Sequence, residues 1–358
     1  MTNQPQNLPL SDFDYYLPPV LIAQTAAEPR DSSRLLVLER ATHTIIHRPS
    51  FRAILDYLKA GDVLVVNESK VIPARLFGNK IKSGGQIELL LLKPADIAHL
   101  GENDTWTVLV RPGRGTQAGA QFIFTTPTGD ESLEAEVLVV TPTGERLIRF
   151  SRPPLDFLER YGQMPLPPYI HQKPADPNRY QTVYATRPGS AAAPTAGLHF
   201  TPELIEQVKE KGVGFERVLL HVGLDTFQPV KEENALEHHM HGEWCKIEAG
   251  VAERLNEARA NGGRVIAVGT TAVRTLESAF DPETGLQRAF EGDTTIFLYP
   301  GKPLRAIDGL ITNFHLPKST LLMLLSAFAG REFIMQAYAE AVREGYRFYS
   351  FGDACLIL

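Results

Sequence analysis

Cysteine is scarce: the 358 residues contain two, Cys245 and Cys355. A disulfide framework is thereby excluded, and neither thiol has a neighbour at the spacing of a zinc or redox motif, so a reducing, cytoplasmic setting is expected. Long apolar runs are missing too. The most hydrophobic stretch, 320–330, is about half of what a bilayer-spanning helix needs. Residues 1–14 are polar and lack the basic-then-apolar order of a secretory signal. Nor is there a cationic excess: 36 Lys and Arg against 42 Asp and Glu leave a formal charge of −6, so bulk charge does not hold nucleic acid to this chain. The Gly-x-Gly-x-x-Gly fingerprint and the Gly-x-x-x-x-Gly-Lys-Ser/Thr loop are both absent. Dehydrogenase and P-loop classes lose their support with them.

At ~150 residues per domain, the length implies two domains, or one with a large insertion. The 28 glycines and 26 prolines imply many turns. Residues 33–58 read as a strand followed by a helix, with Phe51, Ile54, Leu55 and Leu58 at helical spacing. From 62 to 150 the texture becomes short apolar or alternating runs at 63–66, 72–77, 87–92, 107–110, 122–124, 135–140 and 147–150, punctuated by Gly, Pro, Asn and Asp. Beyond 153 helical periods return. Pro202 starts a helix capped by Thr201, helices are expected at 249–261 and 272–280, strands at 213–222, 264–268, 294–299 and 309–312, and two helices precede an apolar run at 354–358. The expected fold is an α/β catalytic domain, residues 1–60 and 151–358, with an inserted small all-β barrel domain, residues 61–150.

Three features carry chemistry. The strand Arg264-Val-Ile-Ala-Val-Gly269 runs through Thr270 and Thr271 into a helix bearing Arg274, and such a helix start suits a carboxylate or another anion. The block Glu237-His238-His239-Met240-His241-Gly242-Glu243 packs three imidazoles and two carboxylates together. If extended, Glu237, His239, His241 and Glu243 share one face, which suits acid–base work, a metal or a structural cluster. Further histidines, His199, His221 and His315, stand beside glycines, amides and hydroxyls in the segments 194–200, 221–223 and 313–320. Against the net negative charge, Lys70, Arg75, Lys80 and Lys82 fall within thirteen acid-free residues, and Arg111 and Arg114 follow in one turn.

Taken together, Ser11-Asp-Phe-Asp-Tyr-Tyr-Leu-Pro18, Gly61-Asp-Val-Leu-Val-Val-Asn67, Tyr180-Gln-Thr-Val-Tyr184, Ala193-Pro-Thr-Ala-Gly-Leu-His-Phe200, His239-Met-His241, Val268-Gly-Thr-Thr271 with Arg274, and Thr312-Asn-Phe-His-Leu-Pro317 resemble the S-adenosylmethionine:tRNA ribosyltransferase-isomerases of queuosine biosynthesis. The resemblance runs nearly end to end. It implies two substrates, S-adenosylmethionine and tRNA bearing 7-aminomethyl-7-deazaguanine, with adenine and methionine released and no cofactor beyond the consumed co-substrate. One departure is Asp225, where the family pattern carries a second glycine in His-Val-Gly-x-Gly-Thr-Phe. On this reading His239, His241, Glu237, Glu243 and His199 are candidate catalytic groups. Thr270, Thr271, Arg274, Asn313, His315 and Lys318 are expected to hold S-adenosylmethionine, and Lys70, Arg75, Lys80, Lys82, Arg111 and Arg114 to hold tRNA. No metal and no membrane are expected, and the chain is expected to act as a monomer. The rival readings are a noncatalytic RNA-binding module, a metal-dependent hydrolase built on residues 237–243, and a methyltransferase that would yield S-adenosylhomocysteine.

Overall fold

A computed structural model describes residues 7–95, 102–142, 144–172, 176–223, 230, 232–240 and 242–358. Two sheets dominate. The larger has nine strands in the order Phe290–Thr294, Glu243–Ile247, Gly214–Leu220, Val63–Asn67, Val265–Val268, Gly309–Asn313, Ala354–Ile357, Leu35–Glu39 and Thr44–Arg48. Four adjacent members, Gly214–Leu220 to Gly309–Asn313, run parallel, and antiparallel strands lie toward both edges. Val63–Asn67, Val265–Val268 and Gly309–Asn313 are buried at every residue, as expected of parallel strands covered on both faces.

Alternate side chains of these strands feed two cores. Val63, Val65, Val265, Ala267 and Leu310 pack with the helices Thr270–Ala279, Thr320–Ala329 and Arg331–Arg343. Leu64, Val66, Ile266, Val268 and Ile311 pack on the other face with the helix Pro202–Glu210. That helix starts as its sequence dictates: the Thr201 hydroxyl accepts from the Leu204 amide at 3.1 Å and Pro202 occupies the first turn.

The second sheet is a closed antiparallel barrel in the order Arg146–Phe150, Thr105–Arg111, Gln86–Pro94, Arg75–Lys80, Gln121–Thr125 and Ser132–Val140. Period-two alternation sends Leu76, Leu89, Trp106, Phe122, Phe124 and Ile148 inward.

Three expectations need correction. Val63–Asn67, grouped by sequence with the barrel, is a strand of the large sheet, because its unbroken apolar run suits burial on both faces and not a barrel wall. Phe51–Asp56 is a 3₁₀ segment and not an α-helix. The strand expected at 294–299 lies earlier, at Phe290–Thr294, whose polar, Gly-containing sequence is that of a sheet edge, while Phe297, Leu298 and Tyr299 bury without strand pairing. Beyond 153, where the helical period returns, a helix at Leu155–Tyr161, short and without a side-chain cap, places Phe157 and Leu158 against the barrel core.

Candidate active site

A cleft lies past the carboxyl ends of two neighbouring parallel strands, Val265–Val268 and Gly309–Asn313. This is where α/β sheets commonly bind ligands. After the first strand, Gly269 takes φ 88° and ψ 154°, a conformation open in practice to glycine alone. The chain then turns directly into the helix Thr270–Ala279 with no side-chain cap, so its first amides are left for a ligand. Gly269, Thr270 and Thr271 all line the cleft, and the buried Thr271 hydroxyl has no hydrogen-bond partner among the described residues.

The opposite wall comes from the loop after Gly309–Asn313. Ser319 ends that loop as the cap of the next helix, accepting from the Leu322 amide at 3.2 Å. Within the loop His315 lines the cleft, and its Nε2 lies 2.7 Å from the Thr312 hydroxyl. Its backbone is clamped at both ends: its N–H donates to the Tyr338 hydroxyl at 3.0 Å, and its carbonyl accepts from the Tyr15 hydroxyl. Burial pushes the His315 imidazole down to about 3, so it is neutral at physiological pH.

Aromatic rings supply the third side. Tyr169 and Tyr349 line the cleft with ring centroids 4.6 Å apart, and the Tyr169 hydroxyl lies 2.7 Å from Ser350 Oγ. Tyr349 holds φ 70°, in the left-handed region, and Lys318 at the loop's turn holds φ 57°. Two strained non-glycine residues beside one cleft are the kind of backbone cost concentrated at functional sites.

The structure divides the sequence-expected residues. Thr270, Thr271, Asn313 and His315 meet in the cleft. Arg274 and Lys318 do not contribute to its lining. Arg274 is buried and ion-paired with Glu243, and also reaches the Thr294 carbonyl at 3.3 Å. Burial lowers its guanidinium to about 10, which leaves it charged and committed to that partner. Lys318 pairs with Asp14 at 2.9 Å, outside the cleft.

His199 is buried behind the cleft with both ring nitrogens engaged, Nδ1 with Ser33 Oγ at 2.7 Å and Nε2 with the Asn313 amide at 3.1 Å. Burial, with the charges of Arg347 and Arg30, pushes it down to about 3. It is a buried support for Asn313 and has no nitrogen free for substrate.

Among the described residues of the 237–243 block, Glu237, His239 and Glu243 do not share one face. Ala235–Glu237 is a 3₁₀ turn with Glu237 exposed, His239 is exposed, and Glu243 is buried on Arg274. His238 pairs with Glu232 at 3.1 Å. His241 and Asp225 lie outside the described residues. Among those residues no cluster of three or more His, Cys, Asp or Glu side chains is placed to hold a metal. No helix among them is long and apolar enough to cross a membrane.

Lys70, Lys82, Arg111 and Arg114 are exposed, Arg75 pairs with Glu88 at 3.2 Å, and Lys80 donates to the Arg114 carbonyl. Residues that sequence reasoning missed are Tyr169, Thr195, Tyr349 and Ser350. Only Thr195 stood in a segment already singled out.

The family model described as "Queuosine biosynthesis protein" matches residues 10–357. Proteins named S-adenosylmethionine:tRNA ribosyltransferase-isomerase from Moorella thermoacetica and Carboxydothermus hydrogenoformans are 57% and 56% identical, each alignment covering 98% of this chain and 99% of the relative. A crystal structure of S-adenosylmethionine tRNA ribosyltransferase from Thermotoga maritima is 41% identical, covers 97% of this chain and 100% of its own, and superposes with a TM-score of 0.54. The chain belongs to the queuosine biosynthesis protein family.

Proposed function

We propose that this chain is a transferase-isomerase that moves the ribosyl group of S-adenosylmethionine onto 7-aminomethyl-7-deazaguanine in the wobble position of tRNA, giving epoxyqueuosine-tRNA, adenine and methionine. The near full-length identity to enzymes of that name supports the reaction class. The observation that carries the site is the cleft itself, which sets a bare helix start, an aromatic pair and a neutral imidazole around one space. The methionine carboxylate accepts from the first-turn amides and the open Thr271 hydroxyl, and adenine packs against Tyr169 and Tyr349.

The sulfonium acidifies the adjacent 5′ carbon. His315 takes that proton; the electron pair forms the C4′–C5′ double bond as the ring oxygen leaves C4′, and the opened sugar expels adenine as its C1′ becomes an aldehyde. The amine of the modified base adds to C4′ of the vinyl sulfonium, and the ylide left at C5′ closes on C1′. The resulting alkoxide displaces methionine from C5′ to form the epoxide. Methionine leaves as a neutral thioether, so the reaction needs no redox cofactor, and a Lewis acid has little to add to a leaving group that is already cationic.

The tautomer of His315 follows from its neighbours. If Nε2 donates to Thr312 Oγ1, the Thr312 hydroxyl is free to donate onward to the Asn313 carbonyl at 3.3 Å, and both contacts are satisfied. Nδ1 then keeps its lone pair for the substrate proton. Such chemistry on tRNA belongs to the cytoplasm. The test is mass spectrometry after mixing protein, S-adenosylmethionine and tRNA carrying the aminomethyl base. Equal amounts of adenine and methionine with a heavier tRNA are expected, whereas S-adenosylhomocysteine would make the chain a methyltransferase.

A further inference from the structure

The outer wall of the barrel carries a row that its core does not need. Along Arg75–Lys80, Leu76 turns inward while Phe77 stands 52% exposed. The strand register places Phe77 opposite Glu88 and Glu88 opposite Arg111, so the three outward side chains cross three strands in one line. Asn79 opposite Gln86 forms the next outward pair. Together with the cis-linked Pro112 they line an open groove. The row from Phe77 to Arg111 spans two strand spacings, about 10 Å.

The charge of this groove is cationic. Glu88 is the acid among its lining residues, and Arg75 neutralises it at 3.2 Å. Arg111 and Arg114 are exposed on a turn braced from three sides. Lys80 donates to the Arg114 carbonyl, Arg146 Nη2 reaches the Thr116 hydroxyl at 3.0 Å, and that hydroxyl donates to the Gly113 carbonyl at 2.7 Å. A braced turn presents its guanidinium groups with little ordering cost on binding.

An exposed ring, two side-chain amides and an exposed guanidinium on a barrel wall match the needs of an unstacked nucleotide. The ring offers a face for stacking, the amides offer donors and acceptors to a base edge, and the arginine takes the phosphate. We propose that Phe77, Asn79, Gln86 and Arg111 form a subsite for one unpaired nucleotide of the tRNA, outside the cleft where the chemistry occurs. This rests on the tRNA reading given above.

The test measures tRNA affinity of the full-length chain at several salt concentrations, alongside adenine release. Phe77→Ala is expected to weaken binding about 10-fold with an unchanged slope of log affinity against log salt, because stacking releases no counterions. Phe77→Trp is expected to restore affinity and to show fluorescence quenching on addition of tRNA. Arg111→Ala is expected to lower the slope by about 0.7 to 0.9. Since Phe77 is half-exposed, a thermal melt is expected to show all three variants folded. Wild-type affinity in Phe77→Ala, or unquenched fluorescence in Phe77→Trp, overturns the subsite while leaving the reaction intact. Loss of self-association or of a protein partner in Phe77→Ala, with tRNA affinity unchanged, overturns it in favour of a protein interface. A wild-type chain that neither binds tRNA nor releases adenine overturns the functional reading along with it.

Discussion

The Asn313 side-chain nitrogen lies 3.1 Å from His199 Nε2 and 3.1 Å from the Tyr349 carbonyl, while Thr195 donates to its oxygen at 3.1 Å. An amide can donate to the imidazole only if Nε2 is unprotonated, so Nδ1 carries the proton and gives it to Ser33 Oγ at 2.7 Å. One buried ring thus fixes the orientation of a cleft-lining amide and, through it, the strained backbone of Tyr349.

That arrangement makes stability depend on pH. His199 and His315, pushed down to about 3, and His221, pushed down to about 4, ionise more readily in the unfolded chain than in the folded one. Their contribution is fully present above about pH 6.5 and is lost as pH falls toward the folded values, by about 1.4 kcal/mol per pH unit for each. Glu277, pushed up to about 7 by burial, acts in the opposite direction, so the informative comparison is between proteins. His199→Asn is expected to be less stable than wild type at pH 7 but to lose less between pH 7 and pH 5. Equal losses in thermal melts would mean that His199 is charged in the folded chain.

Arg274 and Glu243 form a buried pair, with Glu243 also accepting from the Gly223 amide at 3.0 Å. Removing either partner strands a charge in the interior, at a cost of about 3–5 kcal/mol. Arg274→Met and Glu243→Leu are each expected to lower the melting temperature sharply, and the double variant to recover most of the loss. Additive losses in this cycle would show that the two side chains do not depend on each other.

Thr271 is expected to matter for S-adenosylmethionine and not for tRNA. Its hydroxyl is buried, has no partner among the described residues and stands beside the open amides of its helix. Thr271→Val keeps the shape and removes one hydrogen bond to a carboxylate, about 1.5–3 kcal/mol, or roughly 10-fold or more in affinity. Titration calorimetry with each substrate separates the two. Unchanged S-adenosylmethionine affinity would move the carboxylate away from this helix.

His239 is the counterpoint to His315. It is exposed in a non-helical segment and is not among the residues that line the cleft, and His239→Ala is expected to keep adenine release within about 10-fold of wild type. A loss of 100-fold or more with the fold intact would return the acid–base role to the 237–243 block.

Local signals were readable where structure is local. Thr201 and Pro202 announce their helix, and the turn through Gly269 to Thr271 follows from a short buried strand meeting a glycine and a helical period. The alternating runs between 75 and 150 became the barrel because period two survives any register. Residues gathered by tertiary packing were not readable. Ser33, His199 and Asn313 are brought together from three separate segments, and Tyr169 reaches Ser350 across 181 positions. The 237–243 block misled because its common face required an extended chain, and a 3₁₀ turn at Ala235–Glu237 breaks that geometry. Arg274 misled because a cation near a helix start looks free until its partner, Glu243, is placed beside it.

The most direct measurement uses S-adenosylmethionine deuterated at C5′, with single-turnover adenine release followed in wild type and in His315→Ala. The expected result is slower release from the deuterated co-substrate in wild type and at least about 100-fold slower release in His315→Ala, with folding and S-adenosylmethionine affinity retained. Adenine release by His315→Ala at the wild-type rate, with the same isotope effect, would contradict the assignment of the proton to His315 and of the reaction to this cleft.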